Sequence, residues 1–176
     1  MQNRSITLVL AAATVALAAC GSDSTSPPAA SKIVNFDVAL TSAAEPSVTG
    51  NPTGSGRFTA TLDTSINVFT WNVVFSGLTS NVNNGHIHGP FPDGTKTAAG
   101  VLLNFNPSAL PGNTFVGLNS ATSGSASGSV TLSSASVGAV TGDSLKKLLL
   151  AGLAYVNIHT ITNPGGEIRG QIIATK

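Results

Sequence analysis

Between Val68 and Phe75 every second residue is large and apolar: Phe69, Trp71, Val73 and Phe75. Side chains on a strand alternate between faces, so this pattern specifies a strand with one face in a core. The same period of two recurs along the chain. Val34, Phe36, Val38 and Leu40 alternate with Asn35, Asp37 and Ala39, and Phe58, Ala60 and Leu62 alternate with Arg57, Thr59, Thr61 and Asp63. Val101, Leu103 and Phe105 form another such set, as do Gly128, Val130 and Leu132. A short strand is expected around His86 to His88, and two final strands at 153–160 and 167–174, joined by Asn163-Pro164-Gly165-Gly166. Gly50, Pro52 and Gly54 break the chain between the first two strands. The one helix expected is Leu145 to Ala151, with Asp143-Ser144 as its cap and Gly152 as its stop. The reading is thus about eight strands and one short helix (residues 144–151). Polar turns join the strands, so the predicted class is all-β: an antiparallel Greek-key sandwich or barrel.

Composition narrows the function. Charged residues are 9% of 176 and the net charge is +1. Such a chain has no basic surface to hold phosphates, which excludes nucleic-acid binding. One cysteine allows no internal disulfide and no cysteine-based metal site. No set of residues resembling a hydrolytic triad, a carboxylate pair or an activated nucleophile stands out, so no catalytic residue is assigned.

That cysteine lies at the end of a leader. Residues 6–19 carry no charge and are too few to span a bilayer core of about 30 Å as a helix. The stretch ends in Leu17-Ala18-Ala19-Cys20, which resembles the lipobox of bacterial lipoproteins. In such signals residues 1–19 are removed and the Cys20 thiol is lipidated. Gly21, not Asp, follows; by resemblance to Gram-negative sorting rules this implies the outer membrane, within a bacterial cell envelope. Residues 20–31, with the run GSDSTSPPAAS, read as a tether, and 32–176 as the folded domain. From residue 20 onward seven basic and seven acidic side chains balance.

Histidine occurs three times. His86 and His88 flank Ile87 and share one face of a strand. His159 shares a face with Tyr155 and Asn157, opposite Val156 and Ile158. All three rings are therefore expected on the outer face of the sheet. Two imidazoles at i and i+2 with a third from a distant strand make a workable set for copper or, second, zinc. The spacing leaves open whether the strands meet. Equally, the rings can be polar residues bonded to loop backbone.

Gly85-His86-Ile87-His88-Gly89-Pro90, the segment Tyr155-Val156-Asn157-Ile158-His159-Thr160, and Gly165-Gly166-Glu167-Ile168-Arg169-Gly170-Gln171-Ile172 together resemble the chordin-type (CHRD) domain. Glu45-Pro46, Gly54 to Phe58, Gly77-Leu78 and the Leu145 to Gly152 segment fit the same pattern, so the resemblance spans about 33–174. It implies an extracytoplasmic module; in animal chordin it belongs to a growth-factor-binding protein. A more distant likeness is to copper/zinc superoxide dismutases, in which His86, His88 and His159 would match three copper ligands. Counterparts of the bridging histidine, the zinc-site histidines and the disulfide cysteines are absent, and Arg169 does not match the catalytic arginine.

The remaining candidates have plainer expectations. Glu167 and Arg169, two apart on one strand face, are read as exposed and pairing with each other or with neighbours, with a substrate role as the alternative. Gly165-Gly166 is expected to meet a turn's positive φ. Asn157 is read as a partner for a loop, or as a hydrogen-bond support for His159. Asp93 is read as a solvated turn residue, and as the nearest carboxylate able to complete a three-histidine site. Superoxide-dismutase activity stands last among the readings, and two functions stand before it. The first is a lipid-anchored, non-catalytic module that binds an envelope protein or polymer. The alternative is a copper- or zinc-binding domain built on the histidines.

Overall fold

The computed structural model describes residues 32–91, 98–105, 118, 120–134, 137 and 139–175, with the backbone of 114–116. The leader, Cys20, the tether and Asp93 lie outside the described residues. Nine strands form one antiparallel sheet: β1 (Ile33–Thr41), β2 (Ser55–Asp63), β3 (Val68–Ser76), β4 (Val82–His88), β5 (Val101–Asn104), β6 (Thr114–Val116), β7 (Gly124–Thr131), β8 (Ala154–Thr160) and β9 (Ile168–Ile172). The order across the sheet is β5-β4-β8-β9-β1-β2-β3-β7-β6. β9 returns late in the chain to lie beside β1, giving the order β9-β1-β2-β3, which is that of a Greek key. Among the described residues no helix is long and apolar enough to cross a membrane.

The sheet curls on itself. Phe105, just past β5 at one edge, stacks on Trp71 of β3 at 4.3 Å and on Phe58 of β2 at 6.1 Å. Strands distant in the sheet order thus share one core, which also holds Leu40, Leu62, Phe69, Val73, Ile87, Val156 and Ile158. The inward positions of β1, β2 and β3 within 36–40, 58–62 and 69–75 are buried on alternate residues, and their Asn, Thr and Asp positions face outward together with Ile33 and Val74. The β2–β3 turn closes with Asn67 at φ +57°, a conformation its short amide side chain tolerates.

The helix α1 (Gly142–Leu150) starts earlier than expected. Its cap is Thr141, whose hydroxyl accepts from the Ser144 N–H, and Asp143 lies in the first turn. At its end the Gly152 N–H donates to Leu149 O and the Leu153 N–H to Leu148 O, with Gly152 at φ +67°. These two bonds form a Schellman stop, so the glycine acts as expected. The short edge strand β6 is the element that alternation did not reveal; three residues carry too little pattern.

Candidate metal centre

β4 and β8 pair antiparallel, with His86 opposite Asn157, His88 opposite Tyr155 and Asn84 opposite His159. His159 is therefore the diagonal neighbour of His86, within reach of a long side chain on the same face. The three rings converge. Their centroids are 4.9 Å apart for His86–His159, 5.1 Å for His86–His88 and 5.8 Å for His88–His159. One ligating nitrogen from each ring lies within 4.8 Å of the other two.

All three histidines sit on the face opposite Ile87, Val156 and Ile158, as alternation predicts, but that face is not open. They are 7–8% exposed, and every residue of β8 is buried. Loops cover the outer side: Phe91 after β4, Glu45 before β2, and Asn163 after β8 are all buried. Alternation reports which face a side chain takes; it does not report what lies over that face.

Backbone carbonyls orient two of the rings. His88 Nδ1 is 2.8 Å from Ala99 O, and His159 Nδ1 is 2.9 Å from Pro164 O. A carbonyl only accepts, so each Nδ1 carries the hydrogen and each Nε2 keeps its lone pair. His88 Nε2 is buried with no hydrogen-bond partner. His86 Nδ1 is 3.0 Å from His159 Nε2, so in the metal-free protein the His86 N–H donates to it. Burial pushes His86 down to about 4, with help from the neighbouring His159 and His88. Burial also holds His88 and His159 below the usual histidine value. Neutral rings are what a metal ion requires of imidazole ligands. Among the described residues the group is three imidazoles, with no carboxylate or thiolate within it.

A stack runs outward from the centre. The Tyr155 ring lies on His88 at 4.9 Å, nearly parallel, and the Arg169 guanidinium lies 4.4 Å from the Tyr155 ring centre and 4.7 Å from that of Phe91. Arg169 and Glu167 are both buried, not exposed as expected, and of the two readings, pairing with each other or with neighbours, the described contacts are with neighbours. The Glu167 carboxylate accepts from Thr79 N at 2.7 Å, Thr79 Oγ1 at 2.6 Å, Thr160 Oγ1 at 2.7 Å and Asn163 Nδ2 at 3.2 Å. Burial opposes its ionisation, but these bonds hold the carboxyl below its ordinary value. It clasps the turn after β3 to the turn after β8.

The glycines of the final motif have separate reasons. Gly166 adopts φ +127°, and a Cβ there would lie 2.5 Å from Glu45 Oε1 and 2.6 Å from both amide atoms of Asn157. Gly165 has open space and no positive φ, so the turn's demand falls on Gly166 alone. A Cβ on Gly170 would lie 2.3 Å from the Ala39 carbonyl of β1. Around Gly166 are two further buried polar atoms without hydrogen-bond partners, Glu45 Oε1 and Asn157 Oδ1. Asn157 thus sits beside the cluster, between His86 and Arg169 in register, with its amide packed on Gly166. Burial raises the Glu45 carboxyl to about 7, against the opposing pull of Arg169. Sequence reasoning missed the burial of Glu45, Tyr155 and Phe91. The available signal was that all three histidines, the one tyrosine, Arg169 and Gln171 fall on β4, β8 and β9.

A family model for the CHRD domain matches residues 36–172, which takes in β2 to β9 and all but the first three residues of β1. It supports the chordin-type resemblance, and not the likeness to superoxide dismutases. Comparison with curated proteins and with solved structures gives no match in either. With the match extending over most of its length, the chain belongs to the CHRD-domain family.

Proposed function

We propose that this chain is an extracytoplasmic CHRD binding module, held at the envelope by lipid on Cys20 and without catalytic activity of its own, and that its buried histidines bind a copper-class ion. Family membership supports the module, and Leu17-Ala18-Ala19-Cys20 supports the anchor. The observation that carries the metal reading is the convergence of His86, His88 and His159, with the buried His88 Nε2 facing no hydrogen-bond partner. Burying such a nitrogen without a partner is costly, and a metal ion bound there would offset the cost. Copper is preferred and zinc second, since both suit imidazole and copper binds such donors more tightly. An envelope protein or polymer remains the module's proposed macromolecular ligand.

Two experiments test the two halves. Metal analysis of the protein recovered from the envelope should find one copper or zinc ion per chain, lost in His88→Ala and in His159→Ala. Undiminished metal in both variants contradicts the site. A Cys20→Ala chain should leave the membrane fraction and fail to take up labelled fatty acid; retention with label contradicts the anchor.

A further inference from the structure

We infer that the centre selects monovalent copper over divalent ions, with His86 ligating through Nδ1 and His88 and His159 through Nε2. The inference rests on the metal reading above and adds the ion's charge and the ligand atoms. The Ala99 and Pro164 carbonyls fix the Nδ1 hydrogens of His88 and His159, so only their Nε2 atoms can ligate. His86 presents Nδ1 to His159 Nε2 at 3.0 Å, which makes that atom its contribution to the cluster. For metal bonds near 2.0 Å in a trigonal plane, donors must stand about 3.5 Å apart. One of these separations is 3.0 Å, and one nitrogen of each ring lies within 4.8 Å of the other two, so the rings stand close enough to hold an ion between them.

Charge decides the ion. The donors are three neutral rings, 7–8% exposed, and among the described residues no carboxylate or thiolate joins them. The cost of burying an ion grows with the square of its charge, so a divalent ion bears about four times the penalty of a monovalent one of equal size. The charge in the aromatic stack is positive, the Arg169 guanidinium on Tyr155, which lies on His88, and the nearby Glu45 carboxyl, raised to about 7, answers Arg169 and not the cluster. Divalent zinc also seeks a fourth ligand, whereas three neutral donors suffice for closed-shell copper(I). Binding is balanced without proton release. The hydrogen on His86 Nδ1 moves to Nε2 of the same ring as the ion takes the Nδ1 lone pair.

The full chain should be titrated anaerobically with copper(I) against bicinchoninate, and with zinc(II) against a chromophoric zinc chelator. The expected result is one copper(I) per chain and an affinity exceeding that for zinc by about a hundred-fold or more. Nitrogen-15 correlation spectra of the diamagnetic copper(I) form should show His86 changed from the Nδ1–H to the Nε2–H tautomer, with His88 and His159 unchanged. Zinc binding as tight as copper(I) overturns the selectivity while leaving a metal centre. A His86 ring still carrying Nδ1–H when loaded overturns the ligand assignment. Binding of neither ion defeats the metal reading itself. All of these are read on the unaltered chain, so misfolding of a variant cannot confuse them.

Discussion

The two arms of the curled sheet are built to different rules. In β1, β2 and β3 buried and exposed residues alternate, and the outward face is mostly Asn, Thr, Ser and Asp in water, with Arg57 and Val74 among them. In β8 no residue is exposed, and the outward face of β4, β8 and β9 is a second interior of His, Tyr, Asn, Arg and Gln. One arm needs only a hydrophobic core. The other must also satisfy polar groups in a covered layer, and there the fold keeps glycines without room for a Cβ, a clasping carboxylate and three unionised histidines. Among the described residues, the buried histidines and carboxyls lie in or against the doubly covered arm.

The comparison breaks most visibly at the glycines. Gly170→Ala places a methyl against the Ala39 carbonyl, and Gly166→Ala places one against Glu45 and Asn157 at a positive φ. Each should cost about 3 kcal/mol or more in urea unfolding, or prevent folding. Gly165→Ala, in open space one residue away, should cost a few tenths of a kcal/mol at most. Next comes the clasp. Glu167→Ala leaves Thr79, Thr160 and Asn163 without their common acceptor, and a loss of roughly 2–4 kcal/mol is expected by the same assay. A loss below 0.5 kcal/mol would deny that this layer is structurally demanding.

The pH dependence separates two opposed terms within the covered layer. Glu45, raised to about 7 from 4.5, keeps a proton in the folded state that the unfolded chain has released. That term weakens the fold as pH rises across this window. The histidines act in the other direction. His86 is lowered from 6.5 to about 4, so stability from its neutral ring is present above 6.5 and is lost as pH falls towards 4. Glu45→Gln should therefore stabilise the metal-free protein at pH 8 by about 2 kcal/mol, do little at pH 4.5, and steepen the loss on acidification. Thermal unfolding across pH reads both slopes; an unchanged profile contradicts the burial of Glu45 as a carboxyl. The smallest effect belongs to the open arm. Thr61→Val, on the exposed face of β2, should shift stability by no more than about 0.5 kcal/mol.

Much of this architecture was legible in the sequence, and the failures have physical causes. The faces of Phe69, Trp71 and Val73, and of Val156 and Ile158 against His159, followed from strand periodicity. The helix was placed, but its start lies at Thr141 because a threonine hydroxyl there reaches the Ser144 N–H. Burial of Glu167 and Arg169 was not legible, since the loops that cover them are brought in from residues far along the chain. Convergence of the histidines depends on the β4–β8 register, a pairing across some 70 residues that no local pattern encodes. Gly166 was read correctly as a backbone requirement, but its contact with Glu45 joins the last turn to the first loop.

The central claim is that the covered arm houses a metal centre. Its most direct test is anomalous X-ray scattering from crystals of the full chain grown anaerobically with copper(I). The account predicts a single strong peak at about 2.0–2.1 Å from His86 Nδ1, His88 Nε2 and His159 Nε2. A map without such a peak, in which His86 Nδ1 still donates to His159 Nε2, would contradict it.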